Sequence, residues 1–461
     1  MSSESSSISS EESILIALIT VCAGYLIAPM GLSAVNVAIP ALALDLQASA
    51  EQVGWLPTVY ILSSVMCFLP ASRLADRHGR KRVFVYGLWL NGLAATASSL
   101  TDNMDIILIL RFVQGIAAAM IFGTGVAIVS SIVPANKRGM ALGIVASCVY
   151  VGLTLAPVVG GYLTEFLGWR SVFWFQVPLI LMLLVFIALK LPGDWKDAQT
   201  HAVDWVGTAI FALFSCLFVL GMADLPSWYG ILTVIASFAV LWAFVCVQAR
   251  AKTPLIRVQM FRENRLFSLS LTSSLFMYGS NFALLFLLSV YLQFIHNLTP
   301  SQAGNILLFQ ALSMAIMAPL AGKLADRFAS RVVATIGCSI VAVGLFLLNL
   351  PFIMAEPWWI GLALLILGIG FGLFSTPNNN SIVSSVSKAE IGVASAAMNL
   401  GRTVGNLIGM SIVNTMIHII IGDIPIEIAP LDNIAKTVEF ALMLSLGMVL
   451  CACVASGARG R

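Results

Sequence analysis

Runs of eighteen or more apolar residues recur along the whole 461-residue chain, and each is long enough to cross a hydrocarbon core of ~30 Å as a helix. That feature excludes a soluble protein of two or three domains. Composition agrees: charged residues make up 10% of the chain, A, V, I, L, M, F, W, Y and C make up 59%, and the mean hydropathy is +0.98. So few charges cannot cover a water-facing surface. The expected fold class is an all-α polytopic membrane protein.

Hydropathy places fourteen spans near 14–38, 55–74, 83–101, 105–133, 138–164, 170–189, 205–225, 228–249, 267–294, 301–321, 331–351, 358–383, 391–421 and 435–455. Of the 24 Lys and Arg, 20 fall in the connections after even-numbered spans or at the C-terminal end, leaving Arg111, Arg170, Arg402 and Lys436. The positive-inside rule then puts both termini in the cytoplasm of a multi-pass protein of the cell membrane. The eight cysteines sit in apolar runs without CxxC spacing or histidine partners, so no metal site and no cofactor is expected. The net charge of +3 gives no reason to expect a nucleic acid partner.

Two pairs of segments repeat across the chain. Leu74-Ala-Asp76-Arg77 returns as Leu324-Ala-Asp326-Arg327, 250 residues later, and the glycine pattern at Gly152 and Gly160 returns at Gly401 and Gly409, 249 residues later. Two repeats at nearly one offset imply duplicated halves, a usual build of secondary transporters.

The segment Ser72-Arg-Leu-Ala-Asp76-Arg77-His-Gly79-Arg80-Lys81 resembles the loop signature of the major facilitator superfamily, with Ser72 in place of its first glycine. Arg111-x2-Gln114-Gly115 resembles the superfamily's span 4 motif, and Gly152-x3-Ala156-Pro157-x2-Gly160-Gly161 its span 5 antiporter motif. Val35-Asn36-x3-Pro40, Trp55-x2-Thr58-x-Tyr60, Gly168-Trp169-Arg170, Pro254-Leu255-Ile256 and Asn399-x2-Arg402 are similar to marks of its fourteen-span drug:proton antiporter branch. The resemblance implies two six-helix bundles with two inserted helices. Residues 14–190 would form the first bundle, 191–266 cytoplasmic loops with the inserted spans 7 and 8, and 267–455 the second, between a disordered cytoplasmic tail at 1–13 and a cytoplasmic tail at 456–461. The sequence departs from that branch at Gly31, where most members carry an aspartate five positions before the asparagine of the Asn36 segment.

Candidate functional residues fall into four groups. Asp76, Arg77, Gly79 and Arg80, with Asp326 and Arg327, are expected to form a gating latch; a topogenic basic loop explains the charges equally well. Gly152, Pro157, Gly160 and Gly161 give span 5 a bend and a small-residue face for close helix contact, a packing role compatible with a rocking contact between halves. Arg402 lies 11 residues beyond Ile391, hence ~16 Å deep in the membrane at ~1.5 Å per residue, where a guanidinium is costly and marks a site. Arg111 is shallower, and a structural partner or snorkelling is open to it. Asn36, Tyr60, Gln114, Tyr150, Asn281, Asn378 and Asn399 are further candidates for the substrate cavity, although such groups also serve as interhelical hydrogen-bond pairs.

All 21 Asp and Glu and all four His fall in loops or at span ends, so coupled protons would have to use an edge acid such as Asp76, Glu165 or Asp224, or travel on the substrate itself. The reading that follows is a monomeric secondary transporter in the lipid bilayer. It would export small organic or drug-like compounds by alternating access, with protons as the exchanged partner. An uncoupled facilitator, or a carrier of neutral or anionic metabolites, is the alternative within transport, and a transporter-like membrane sensor the alternative outside it. No catalytic constellation or P-loop is present, so an enzyme is not expected.

Overall fold

The computed structural model describes residues 10–133, 138–191, 204–251, 258–386, 391–422, 424 and 428–459. For some helical residues, Asp76, Tyr150 and Asp326 among them, it describes the backbone alone.

The first half contains α1 (Ser10–Leu46), α2 (Ala50–His78), α3 (Arg80–Leu100), α4 (Met104–Ile132), α5 (Arg138–Leu167), the short α6 (Ser171–Trp174) and α7 (Gln176–Lys190). The inserted pair is α8 (Trp205–Ala223) and α9 (Trp228–Arg250), followed by the short α10 (Val258–Glu263). The second half contains α11 (Arg265–Phe294), α12 (Pro300–Arg327), α13 (Ser330–Leu348), α14 (Pro351–Met354), α15 (Pro357–Ser384), α16 (Ile391–Ile420) and α17 (Leu431–Gly457). Among the described residues there is no strand, and 12 helical stretches are long and apolar enough to cross a membrane. The helices α2 and α5, of 29 and 30 residues, belong to the same bundles but are not among these twelve.

Packing repeats helix for helix. In the first half α1 lies on α5, α2 on α4, and α4 on α3; in the second α11 lies on α16, α12 on α15, and α15 on α13. Close backbone approaches repeat as well. A Cβ on Gly152 or Gly160 of α5 would lie 2.7 Å from the carbonyl oxygen of Leu26 or 2.6 Å from that of Ala34, both on α1. In α16, Gly405 and Gly409 press in the same way on Leu275 and Gly279 of α11. Without hydrophobic drive between helices in lipid, such small residues let dispersion contacts hold the bundle.

The starts of α2 and α12 carry matched capping boxes 250 residues apart. Ser49 Oγ accepts from the Gln52 amide while Gln52 Oε1 accepts from the Ser49 amide, and Thr299 and Gln302 do the same. Each box satisfies helix N–H groups left without an i−4 partner.

The two halves meet along two related seams at the Lys/Arg-poor end. In one, Gly54 of α2 packs on Asn414 of α16, whose Nδ2 donates to Thr58 Oγ1 at 3.1 Å. In the other, Gly304 of α12 packs on Pro157 of α5, and Gly161 lies against Pro300 and Ser301. The Ser301 amide donates to Glu165 Oε2 at 3.2 Å, Ser289 Oγ to the Asn36 carbonyl at 3.1 Å and Gln293 Nε2 to the Val37 carbonyl at 3.0 Å. The inserted α8 rests on both α2 and α16.

Candidate functional site: a central cavity between the halves

A cavity of about 1210 Å³, its open mouth included, lies between the halves. Its walls come from α1, α2, α4 and α5 on one side and α11, α12, α15 and α16 on the other. The expected cavity residues Asn36, Tyr60, Asn281 and Arg402 line it. Helical spacing explains how α1 supplies its share: Pro29, Leu32, Ser33 and Asn36 recur at three- and four-residue steps and lie on one face. Arg402, Thr403 and Asn406 do the same on α16.

Other expected residues sit behind the wall. Arg111 is 1% exposed; its Nη1 donates to Gln114 Oε1 at 2.9 Å, and its guanidinium lies 4.6 Å from the centre of the Tyr60 ring. Arg111 and Gln114 therefore do not line the cavity, but they back the tyrosine that does. Asn378 is fully buried inside the second half, where its Nδ2 donates to Ser274 Oγ at 2.7 Å and its Oδ1 accepts from Arg459. Asn399 is half-buried, one helical turn before Arg402 and Thr403, and is not a lining residue. The Tyr150 side chain lies outside the described residues.

Arg402 is half-buried, and its guanidinium stands 5.8 Å from the centre of the Tyr278 ring, within cation–π range. Among the described lining residues it is the sole charged group, with no Asp, Glu, Lys or His beside it. Gln310 Nε2 donates to Asn281 Oδ1, while Gln310 Oε1, Asn406 Oδ1 and Asn36 Oδ1 are buried without a hydrogen-bond partner. Sequence reasoning left Tyr278 and Asn406 out of its cavity set. The signal available was helical: Tyr278 stands three residues before Asn281, and Asn406 four after Arg402.

Of the gating residues, Gly79 joins α2 to α3 with φ of +114°, a conformation that favours glycine. Arg77 and Arg327 are exposed, and Arg80 Nη1 donates to the Ala127 carbonyl of α4 at 3.1 Å. The side chains of Asp76 and Asp326 lie outside the described residues. Of the edge acids, Glu165 stands in the seam between halves, and Asp224, at the end of α8, accepts from Ser227 Oγ at 2.7 Å.

At Gly31 the space that a side chain would fill is taken by Gln176 of α7: a Cβ there would overlap its carboxamide oxygen. Gln176 is 1% exposed, and its Nε2 donates to the Val172 carbonyl at 3.0 Å.

Comparison with known proteins places this geometry. The chain is 29% identical to the riboflavin transporter RibZ of Clostridioides difficile over 398 residues, 86% of each chain. It is 27% identical to the multidrug resistance protein Stp of Mycobacterium tuberculosis, over 83% of this chain and 72% of that one, and 26% identical to the methylenomycin A resistance protein of Bacillus subtilis, over 87% of each. Among solved structures, a bacterial homolog of the human lysosomal transporter Spinster, in an inward-facing and unoccupied conformation, superposes with a TM-score of 0.69 over 97% of each chain at 16% identity. The fold and the relatives are those of transporters and not of enzymes. Residues 21–410 match the family model of the Major Facilitator Superfamily, and the chain belongs to that superfamily.

Proposed function

We propose that this protein exports small organic or drug-like compounds through the central cavity by alternating access, in exchange for protons. The observation that carries the reading is a cavity walled by both repeated halves, with the described hydrogen bonds between halves clustered at its Lys/Arg-poor end. In this reading the chain has fourteen spans, with α2 and α5 added to the twelve, in the cell membrane with both termini cytoplasmic. The Lys/Arg-poor end then faces outward, and the arrangement is closed on that side. Relatives named for riboflavin transport and for resistance to drugs support small organic compounds as the cargo class. The Asp76–Arg80 segment and its repeat at Asp326–Arg327 would latch the opposite end in the alternate state. Glu165, in the seam that must open, is the edge acid best placed to exchange protons.

A second reading, an uncoupled facilitator or a carrier of neutral or anionic metabolites, is favoured by one observation: the described cavity lining holds no acid, and the Gly31 position is filled by a neutral carboxamide. Purified protein in liposomes, with a trapped pH dye and an imposed membrane potential, separates the two. Substrate-dependent proton movement that disappears in Glu165→Gln is the expected result; substrate movement without proton movement refutes antiport.

A further inference from the structure

The two walls of the cavity differ in chemistry. The wall from the second half carries Arg402, Asn281, Gln310 and Asn406 among apolar residues such as Leu307 and Phe371, with the Arg402 guanidinium beside the Tyr278 ring. The wall from the first half is largely apolar, through Leu32, Phe68, Phe122, Val149, Leu153 and Pro157, with Asn36 and a few hydroxyls among them. A half-buried guanidinium facing a cavity within the membrane span, with no acid among the described lining residues, lacks a counter-charge beside it. The Tyr278 ring at 5.8 Å stabilises the cation, and no described hydrogen bond or ion pair engages its N–H groups. The unpartnered carboxamide oxygens of Gln310 and Asn406 lie on that same wall. The cavity therefore holds five donor-only N–H groups on Arg402, two carboxamide oxygens without partners and, across from them, a largely apolar surface.

We infer that the cavity binds amphiphiles that carry a carboxylate head, taken by Arg402 over Tyr278, and an apolar body laid against the wall of the first half. The inference rests on the reading of this cavity as the substrate site and narrows its substrate class. A guanidinium fork matches a carboxylate bidentately, and the neighbouring carboxamides can turn to donate or accept at the head's other hydrogen-bonding groups. Lipophilic cations of the same shape meet an uncompensated positive charge. Neutral analogues lose the charge-assisted pair but keep the apolar contacts.

The test uses three probes of one shape, 2-naphthylacetate, 2-naphthylacetamide and 2-(2-naphthyl)ethylammonium, titrated calorimetrically into the full-length protein in lipid nanodiscs. Wild-type protein is expected to bind the carboxylate at least about 10-fold more tightly than the amide or the ammonium. Arg402→Gln is expected to abolish that difference, Arg402→Lys to keep discrimination against the ammonium at weaker carboxylate binding, and Arg402→Glu to favour the ammonium. Melting temperatures of the ligand-free variants show that each is folded; should Arg402→Gln fail to fold, the Lys variant decides. Equal binding of the three probes, absence of carboxylate binding, or a preference that survives in Arg402→Gln overturns the inference. The same probes in liposomes separate it from the transport reading. Carboxylate bound through Arg402 with no probe crossing the membrane refutes transport alone, whereas transport of the amide without carboxylate preference refutes the anion site alone.

Discussion

Gly161 is where one methyl group should move the whole transporter. A Cβ at this position would lie 2.5 Å from the Pro300 carbonyl oxygen and 2.9 Å from Ser301 Cα, both backbone atoms at the start of α12 that no rotamer change can remove. The first distance is about 1 Å short of the ~3.5 Å at which such contacts become favourable, and relieving overpacking of this kind costs about 1–3 kcal/mol. The contact joins the two halves, so in an alternating-access cycle the cost falls on the state closed at this end. Gly161→Ala should therefore shift the equilibrium toward the state open there by about 5- to 150-fold. A cysteine at Ser33, which lines the cavity, reports this in a background lacking the eight native cysteines. Its labelling by a membrane-impermeant maleimide from the outer face should accelerate at least about 5-fold. Gly160→Ala is the control. Its Cβ would meet Ala34 of α1 at 2.6 Å within the same half, so it should lower the melting temperature without changing labelling. Unchanged labelling in a folded Gly161→Ala protein, or an equal rise in Gly160→Ala, would refute the reasoning.

Gly31→Ala should destabilise the protein by about 1–3 kcal/mol because Gln176 occupies the space, and Gln176→Ala should restore at least about 1 kcal/mol of it. Strictly additive melting shifts in that double-mutant cycle would rule the contact out. Asn378→Ala should cost about 3 kcal/mol by removing an acceptor from Arg459, which is 3% exposed, whereas Arg459→Met, which removes the charge as well, should cost less; calorimetric melting with the order reversed would contradict this. Arg170 pairs with Asp45 and Asp102, but its side chain is 37% exposed, so Arg170→Ala should cost less than about 1 kcal/mol in chemical denaturation. A larger loss would mean that the pair is shielded from solvent.

The repeats at Leu74–Arg77 and Leu324–Arg327, and the glycines of span 5, made the duplicated architecture legible because backbone-to-backbone contact admits few residues other than glycine. The cavity was legible only in part. Asn36, Tyr60, Asn281 and Arg402 line it, but Asn378 turns inward to Arg459 and Arg111 backs Tyr60. The reason is physical: helices such as α1 and α11 are apolar on nearly every face, so polarity along the chain does not separate the side toward lipid, the side toward a neighbouring helix and the side toward the cavity. Nor does sequence spacing place Gln176 beside Gly31, because the two stand on helices brought together only by the bundle.

The inserted helices close a flank. Because α8 rests on α2 and α16 together, with Cys216 Sγ 3.7 Å from Met66 Sδ and Thr415 Oγ1 bonded to the Met222 carbonyl, it covers the α2–α16 seam along its lipid side. The related α5–α12 seam has no such cover among the described helix contacts. The twofold likeness of the halves is thereby broken at the perimeter. Both seams are packed shut in this structure, so if they part during transport only the α5–α12 seam would open straight to lipid, and the α2–α16 seam would open behind α8.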